Sequence, residues 1–456
     1  MSLESINPAT GELLERFTEQ SATEAAATVA LAHEAFDSWA ASGFARRAGL
    51  LLKAAAVLRR EKNSLAHAMS EEMGKPILQA LAEVEKCALV CEHYAGNGEA
   101  MLAAEPVAAD AGIRSYVRFD PLGVILAVMP WNFPFWQVFR FAAPALMAGN
   151  VCLLKHAANV QRCAARIEEV LRRAGFPEHV FTTLRASADQ VEALIALPQV
   201  RAVTLTGSER AGREVAAAAG RCLKKVVLEL GGSDPFIVLD DAPLSACVAA
   251  AVSARMINNG QSCIAAKRFI VVKDVYSRFQ QAFVAAVSGL KTGDPLDESN
   301  DLGPLARADL LDELDRQVRL SVGRGARVLA GGGRAGNGPG FYFQPTVLED
   351  IKPGMPAYDE ELFGPVAALI VAADEEDALR IANDTPFGLG ASIWTDDRAR
   401  GEALAARIEA GAVFINGMVK SDPRLPFGGV KASGFGRELS EFGIREFVNI
   451  KTVVIS

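Results

Sequence analysis

From about Ser115 onward, short apolar runs alternate with amphipathic helical stretches, and this alternation constrains the fold more than any other feature. Alternation of this kind indicates parallel βαβ units and an open α/β sheet. The predicted strands are 124–129, 151–155, 202–206, 225–230 and 236–239. The predicted helices between them are 136–147, 162–174 and 210–219. The chain therefore belongs to the α/β class.

The remainder of the chain extends this pattern on both sides. Residues 21–104 are Ala-rich with apolar residues at helical spacing, and a second α/β region follows Asp240. The glycine-rich stretch 331–340 is expected to be a surface connection, and the β-branched run 447–455 is expected to extend a sheet, either in its own chain or in a partner subunit. A chain of 456 residues is too long for one core, so two or three domains are expected.

Composition and charge exclude several classes of protein. The chain is 50% apolar and 22% charged with a net charge of −8, and it lacks the basic surplus of a nucleic-acid-binding protein. No signal peptide is recognisable, and the longest apolar stretch is about a third of a membrane span. Seven cysteines at irregular spacing favour a reducing compartment, and the histidines are not spaced as metal ligands. We expect a soluble, cytoplasmic protein with no nucleic-acid, membrane or metal partner.

Three residues are candidates for catalysis. Cys263, in a glycine-containing loop after a predicted helix, is placed to act as a nucleophile. Glu229 ends an apolar strand where α/β sheets bind ligands, and it could act as a general base. Asn132 lies between two prolines, and a rigid amide is suited to an oxyanion. Taken singly, they could also be an inert thiol, a turn-capping carboxylate and a turn-forming amide.

Signals for a nucleotide are weaker. The segment 206–208 follows a predicted strand and precedes a helix containing Gly212, and small residues there let backbone amides approach a pyrophosphate. The generic G-x-G-x-x-G fingerprint is absent. Lys155 at a strand end could bind a ribose or phosphate, and the neighbouring His156 is expected to be a surface residue.

Ordered segments along nearly the whole chain carry a specific resemblance. They are PWNFP (130–134), LLK (153–155), TGS (206–208), LELGG (228–232), GQSC (260–263), EELFGP (360–365), FIN (414–416) and PFGGVKASGFGRE (426–438). The chain resembles the aldehyde dehydrogenase superfamily. The resemblance implies a Rossmann-type cofactor domain (1–103 and 122–231), an α/β catalytic domain (232–430) and a small β oligomerisation arm (104–121 and 431–456). It also implies a homodimer or homotetramer.

The resemblance also implies roles for individual residues. Cys263 would be the nucleophile, Glu229 the base that activates water, and the Asn132 amide with the Cys263 backbone N–H would hold the oxyanion. The implied cofactor-binding residues are Trp131, Lys155, Ala158, Gly207, Ser208, Gly212, Leu230, Glu361 and Phe363. Ala158 stands where NAD-preferring members often carry a glutamate. Without that carboxylate a 2′-phosphate meets less repulsion, so the implied cofactor is NAD or NADP.

Within the superfamily, stretches such as MPWNFPFWQV and VLELGGSDPFIVL most resemble the short bacterial NAD(P)-dependent succinate-semialdehyde dehydrogenases. A semialdehyde with a distal carboxylate needs a cation in its tunnel. Arg140 occupies the position of a carboxylate-binding arginine in related enzymes, although a helix arginine can also face solvent. A second arginine of those enzymes is replaced here by Ile257, and Arg424 or Lys420 are the candidates to take its place.

Other functions remain open on the sequence. A general aliphatic aldehyde or glutarate semialdehyde would use the same chemistry. A CoA-acylating relative is disfavoured because it would not need the base Glu229. A cysteine hydrolase or acyltransferase would also use Cys263, but would pair it with a histidine. A non-catalytic binding protein is least favoured, because none of the three candidate catalytic residues is missing.

Overall fold

The computed structural model describes residues 3–108, 110, 113–336 and 338–456. Residues 109, 111 and 112 of the expected arm, residue 337 of the glycine-rich stretch and the first two residues lie outside this part. The strands are β1 (Leu3–Ile6), β2 (Leu13–Phe17), β3 (Glu105–Val107), β4 (Arg114–Pro121), β5 (Val124–Met129), β6 (Val151–His156), β7 (Phe181–Thr183), β8 (Val200–Thr206), β9 (Lys225–Glu229), β10 (Asp234–Val238), β11 (Ala266–Val272), β12 (Arg327–Ala330), β13 (Thr346–Glu349), β14 (Val366–Ala372), β15 (Phe387–Gly388), β16 (Gly390–Trp394), β17 (Ala412–Ile415), β18 (Val430–Lys431), β19 (Gly434–Phe435) and β20 (Val448–Ile455). The α-helices are α1 (Ala22–Ala40), α2 (Phe44–Arg60), α3 (Lys62–Met73), α4 (Ile77–Met101), α5 (Trp136–Ala148), α6 (Gln161–Ala174), α7 (Val191–Ala196), α8 (Glu209–Arg221), α9 (Leu244–Met256), α10 (Lys273–Ser288), α11 (Ala308–Gly323), α12 (Pro356–Asp359), α13 (Glu375–Asn383), α14 (Arg398–Ala405) and α15 (Ser440–Arg445).

One sheet has the strand order β19-β9-β8-β5-β6-β7, and β5 to β9 run parallel. If β5 is taken as the first strand, the parallel strands follow the order 3-2-1-4-5 of doubly wound folds. The order reverses between β5 and β8, which opens a crevice at their carboxyl ends. The predicted open parallel α/β sheet is confirmed.

Buried apolar runs explain why these segments form parallel strands. β5 matches the predicted strand 124–129, and its side chains are buried on both faces except for the half-buried Val128. Parallel strands require this because helices cover both faces of the sheet. Every residue of α5, which follows β5, is also buried. The cleft at the end of β5 therefore rests on a rigid, packed support.

A second sheet has the order β12-β13-β14-β11-β10-β16-β17, and β12 is antiparallel to its neighbour. The buried apolar residues form two clusters. One runs from Ala25 to Leu230 and includes residues near the C-terminus, and the other runs from Phe236 to Leu404. Cys263 and Phe363 belong to the second region of the chain but pack against the first cluster. These two residues therefore lie at the junction of the two clusters.

The C-terminal segment differs from the sequence-based expectation. β20 pairs antiparallel with β4, as expected of an extended arm, but β19 joins the first sheet beside β9. Gly434 permits this pairing, because its φ is +112° and a Cβ there would overlap the Leu228 carbonyl. α15 packs against α4 and α5. The interval 431–456, assigned wholly to the arm, is therefore divided between the first sheet, its helices and the small sheet β20-β4-β3.

Among the described residues, the helices include none whose length and apolarity would let it cross a membrane.

Candidate active site

Strand ends and loops meet at a cavity of about 480 Å³ along the carboxyl edge of the first sheet, which we call the sheet-edge cavity. The strand register brings the carboxyl ends of neighbouring strands together, because Val128 pairs with Lys155 and Thr206 pairs with Glu229. The sequence-predicted residues that line this cavity are Trp131, Asn132, Lys155, Gly207, Ser208, Glu229, Leu230, Cys263, Glu361 and Phe363. Residues separated by more than a hundred positions thus share one site.

The loop before Cys263 has an unusual backbone. Asn258 and Asn259 have φ values of +52° and +58°, and Gly260 follows at +75°. Asparagine tolerates the left-handed region better than most residues, and a Cβ at Gly260 would overlap the backbone of Gly364. The loop therefore makes a sharp turn against the backbone of Gly364, and this turn sets the position of Cys263.

Hydrogen bonds join this loop to Asn132. The Nδ2 of Asn132 donates to the carbonyl of Gln261 (3.0 Å), and the Nδ2 of Asn258 donates to the carbonyl of Asn132 (2.7 Å). Gln137 donates to the Oδ1 of Asn132 (3.0 Å). A side-chain amide has two N–H hydrogens, so one on Asn132 remains for a ligand. Among the described residues the backbone N–H of Cys263 has no hydrogen-bond partner. The two expected oxyanion donors are thus both available.

Burial controls the protonation of Cys263. It raises the pKa of the thiol to about 12, and the positive charges of Lys267 and Arg140 oppose the rise. Lys267 donates to the carbonyls of Ser262 (2.9 Å) and Cys263 (2.6 Å). Its Nζ also lies 3.2 Å from Glu361 Oε1. Burial therefore favours the protonated thiol, and a buried cation fixes the peptide groups beside it.

Glu229 is 2% exposed, and neither carboxylate oxygen has a hydrogen-bond partner among the described residues. Burial raises its pKa well above the usual range, and the nearby charge of Glu438 raises it further. Arg140 and Arg437 act in the opposite direction. A Cβ at Gly428 would lie only 2.8 Å from Glu229 Oε1, so glycine leaves room for the carboxyl group. An unpartnered, high-pKa carboxyl group is suited to accept and release a proton.

The part of the sheet-edge cavity near Lys155 fits a dinucleotide phosphate. Lys155 is 9% exposed, burial lowers its pKa, and it forms no ion pair with another described residue. Ser208 caps α8 by accepting from the N–H of Ala211 (3.3 Å), and Gly207 adds no side chain. The first amides of α8 and the helix dipole favour an anion here. This donor set therefore fits the phosphate groups of a dinucleotide.

The remaining expected cofactor residues differ from one another in their contacts. The ring of Phe363 packs edge-to-face on Trp131, with centroids 5.8 Å apart. Glu361 Oε1 accepts from the N–H of Gly232 (3.1 Å), so a ribose would share it with that amide and with Lys267. Ala158 is exposed and does not line the cavity.

Two further expectations are corrected by burial and packing. Gly212 supports the cofactor site only indirectly, because a Cβ there would lie 2.6 Å from the Leu230 side chain. His156 is not a surface residue, since it is 1% exposed. Its Nε2 lies 2.9 Å from the Pro134 carbonyl, and its Nδ1 accepts from the N–H of Ala157 (3.0 Å). His156 therefore positions the loop 129–134.

A second cavity of about 220 Å³ lies between α4 and α5, and we call it the α4–α5 cavity. Its lining includes Glu83, Lys86, Phe133, Trp136, Gln137, Arg140, Ile257, Cys263, Ile264, Val419, Lys420, Ser421 and Phe427. Cys263 lines both cavities. A molecule in the α4–α5 cavity would therefore meet the thiol from the side opposite the sheet edge.

Arg140 contributes to the α4–α5 cavity but is already engaged. It forms a buried ion pair with Glu438, and its Nη2 donates to Thr206 Oγ1 (3.2 Å). Its guanidinium lies 4.7 Å from the ring centroid of Phe427. Arg424 does not line the cavity, because its side chain is 77% exposed and pairs with Asp422 (2.6 Å). The expectation that Arg424 binds substrate is thus corrected by its orientation toward solvent.

Sequence reasoning did not select Lys86 or the amides of Gln137, Asn258 and Gln261. Lys86 is three residues after Glu83 on α4, so the two side chains lie on one face of the helix. The Glu83 carboxylate accepts from the amides of Phe135, the residue before α5, and Trp136, its first residue, at 2.9 Å each. The sequence feature that could have indicated Lys86 is this pair of opposite charges on one face of α4. The feature is not specific, because many solvated helix faces carry such pairs.

The fold and site define an α/β enzyme whose cysteine lies between a nucleotide-type cleft and a smaller cavity. The aldehyde dehydrogenase family profile matches residues 1–453, and this chain belongs to that family. It is 54% identical, over the full length of both chains, to a probable NADP(+) succinate-semialdehyde dehydrogenase of Synechocystis sp.. A succinate-semialdehyde dehydrogenase (NADP(+)) 1 of Mycobacterium tuberculosis is 52% identical over all of both chains.

Solved structures show the same architecture. The structure of succinic semialdehyde dehydrogenase from Streptococcus pyogenes in complex with NADP+ superimposes with a TM-score of 0.96, at 38% identity and over 99% of each chain. Gox0499, a protein studied for its cofactor and substrate selection, gives a TM-score of 0.98 at 40% identity over 100% of each chain. The expected family and fold are confirmed.

Proposed function

We propose that this protein oxidises succinate semialdehyde to the dicarboxylic acid through a thioester on Cys263, with NADP or NAD as the oxidant. The observation that carries the proposal is that Cys263 lines both cavities, one with an edge suited to phosphate and one lined by the cations Lys86, Arg140 and Lys420. The names of the relatives at 52% and 54% identity support this choice of substrate and of NADP.

The first step uses Cys263 and the two oxyanion donors. The Cys263 thiol releases its proton to solvent water, and the sulfur then forms a bond to the aldehyde carbon while the carbonyl π electrons move to oxygen. The resulting oxyanion accepts hydrogen bonds from the free Nδ2–H of Asn132 and the backbone N–H of Cys263. A nicotinamide dinucleotide held by Lys155, Ser208 and the other residues of the sheet-edge cavity would supply the two-electron oxidant for this carbon, whose C=O bond re-forms as the thioester. The hydrogen bonds to the 258–261 loop hold Asn132 in place, so little reorganisation is needed.

The second step uses Glu229. Its carboxylate removes a proton from a water molecule, whose oxygen attacks the thioester carbon and releases the Cys263 sulfur with the acid product. The raised pKa makes Glu229 a stronger base once it is ionised. Arg140 and Arg437 favour the ionised form and keep it accessible.

We further propose that NADP is accepted because Ala158 offers no carboxylate beside Lys155. The residues of the sheet-edge cavity would then hold the dinucleotide. Trp131 and Leu230 would contact it, and Glu361 and Phe363 would approach the nicotinamide ribose. We assign cofactor binding to the first sheet, with 1–103 and 122–231, and catalysis to 232–430.

The small sheet β20-β4-β3 is proposed as the surface that joins subunits into a dimer or tetramer. Ile450, Val454 and Ile455 on β20 are exposed, and apolar side chains on an exposed strand favour burial in an interface. The free state of all seven cysteines supports a cytoplasmic location. Light scattering coupled to size-exclusion chromatography measures the assembly, and a monomer would reject this assignment.

The proposed activity is tested by following reduced cofactor with succinate semialdehyde and butanal, each with NADP and with NAD. Turnover that is faster with the semialdehyde supports the proposal. Equal turnover of both aldehydes would retain aldehyde oxidation but reject recognition of the carboxylate. The absence of cofactor reduction with either aldehyde would reject the proposed reaction.

A further inference from the structure

The α4–α5 cavity is largely apolar, apart from a few charged groups. Phe133, Trp136, Ile264, Val419 and Phe427 form much of its wall. A carboxylate that leaves water for such a wall loses hydration, and it requires a charged hydrogen-bond donor in return. The cations in the lining therefore decide whether a carboxylated aldehyde is accepted.

Arg140 cannot supply an uncompensated charge. Glu438 forms an ion pair with it, and both side chains are buried, at 3% and 4% exposure. Thr206 occupies a second guanidinium nitrogen (3.2 Å). A substrate carboxylate near Arg140 would also be near the Glu438 carboxylate, which repels it. Arg140 can still donate a remaining N–H to a substrate carboxylate, but the charge of Glu438 offsets most of its electrostatic attraction for that carboxylate.

Lys86 differs from Arg140 in this respect. It is half-buried, and its Nζ lies 4.1 Å from the Trp136 ring centroid and donates to Ser421 Oγ (2.7 Å). It forms no ion pair with any other described residue. Two acidic residues, Glu83 and Asp422, act on its charge, and each has its own ion pair, Glu83 with Lys75 and Asp422 with Arg424.

Neighbouring contacts fix the position of the Lys86 ammonium group. Ser421 Oγ also accepts from the indole N–H of Trp136 (3.1 Å), so lysine, serine and tryptophan form one group at the cavity wall. Burial, followed by the charge of Arg140, lowers the pKa of Lys86 to about 8. A carboxylate beside Lys86 would offset both the cost of burying its charge and the repulsion from Arg140. This is how a lysine that binds anions behaves.

We propose that Lys86 is the residue that binds the distal carboxylate of the substrate and thereby determines the preference for carboxylated aldehydes. This inference rests on the proposed function. It assigns the charge recognition to α4 and leaves Arg140 as a buried residue that organises Glu438 and Thr206 beside the thiol.

The test compares succinate semialdehyde with its methyl ester, methyl 4-oxobutanoate, which keeps the skeleton but has no charge. For Lys86→Met we expect KM for succinate semialdehyde to rise about 10-fold or more, which corresponds to about 1.4 kcal/mol. The kcat/KM for the ester should change less than about 2-fold, since only the charge recognition is removed. Lys86→Arg should retain most of the preference. Lys53→Met, at an exposed position on α2, is the matched control and should behave as wild type.

The outcomes separate this inference from the proposed function. A wild-type enzyme that does not prefer the acid over the ester would reject the proposed substrate. If wild type prefers the acid over the ester and Lys86→Met keeps that preference, the role of Lys86 is rejected while the proposed function stands. Selective loss in Lys420→Met, with Lys86→Met unaffected, would overturn the inference in favour of that second lysine of the cavity. Ester turnover reports that each variant is folded, and Lys86→Gln replaces Lys86→Met if the latter does not fold.

Discussion

Arg140 and Glu438 form a buried ion pair beside the unpartnered carboxyl group of Glu229. The pair joins α5 to the segment that precedes α15, almost three hundred residues further along the chain. Because Arg140 also lines the α4–α5 cavity, the same ion pair connects the surroundings of Glu229, the proposed general base, to the wall of the proposed substrate site.

Removing one partner of this pair should destabilise the protein. In Glu438→Gln the Arg140 charge stays buried without its counter-ion, and we expect the free energy of unfolding to fall by about 3–5 kcal/mol. Urea denaturation followed by fluorescence measures the change. Glu169→Gln, which breaks an exposed pair with Arg172 and Arg173, is the control and should cost less than about 1 kcal/mol. Equal losses in the two variants would mean that the buried pair has no special role.

Cys263→Ser should lower turnover at least about 1000-fold while cofactor binding persists, because the hydroxyl is a far weaker nucleophile and the phosphate-binding residues are untouched. Initial rates and fluorescence titration with NADPH measure the two properties. Cys222→Ser alters another cysteine that is not fully buried and should keep full activity. Continued aldehyde oxidation by Cys263→Ser would remove this residue from the reaction.

Glu229→Gln should separate acylation from deacylation. The variant keeps the thiol and the oxyanion donors, so a single-turnover burst of reduced cofactor is expected. Steady-state turnover should fall about 100-fold to 10,000-fold, because the amide cannot accept the proton from water. Stopped-flow absorbance resolves the two phases. If steady-state turnover were unaltered, another group would be the base.

Glu229 should also make stability depend on pH. Its pKa in the folded protein lies above the ordinary value of 4.5, so folding favours the protonated form. The stabilising contribution is complete below the unfolded pKa, and it is lost as the pH rises from about 4.5 through the folded pKa. The Tm of Glu229→Gln minus that of wild type should therefore increase between pH 5 and pH 8.

Differential scanning fluorimetry at these pH values measures the effect. The control is Glu214→Gln, at an exposed position on α8 with no ion pair to another described residue, whose difference from wild type should change less over the same pH values. Buried acids that do not act on Glu229, such as Asp234, contribute equally to both proteins and cancel, whereas Glu438, whose charge raises the pKa of Glu229, forms part of the measured effect. A constant difference for Glu229→Gln would show that Glu229 does not titrate as inferred.

Ala158→Glu should disfavour NADP. A carboxylate near Lys155 would repel a 2′-phosphate, and we expect kcat/KM with NADP to fall about 10-fold or more. The effect on NAD should be small or favourable. Ala158→Gln has the same length without the charge and should largely spare NADP. Matching losses for glutamate and glutamine would attribute the effect to size, and the proposed cofactor preference would lose its basis.

Local sequence predicted much of the first sheet. The strand 124–129 and the helix 136–147 were recognisable because continuous burial and helical periodicity are properties of adjacent residues. Cys263, Glu229 and Asn132 could be selected for the same reason, since each lies in a short segment whose geometry is set by its own prolines, glycines or strand end. The ordered series of these segments also indicated the family.

Tertiary structure decided which of the remaining charged groups face one another and which face solvent. Arg140 was expected to face a substrate, but Glu438 lies beside it; Arg424 was expected in the tunnel, but it turns to solvent. Lys86 was not selected, yet it lines the cavity with Ser421, which is distant along the chain. The segment 431–456 was also divided between two sheets. Periodicity in the sequence indicates whether a side chain is buried. Which charged group lies opposite that side chain depends on how segments that are distant in the sequence pack together.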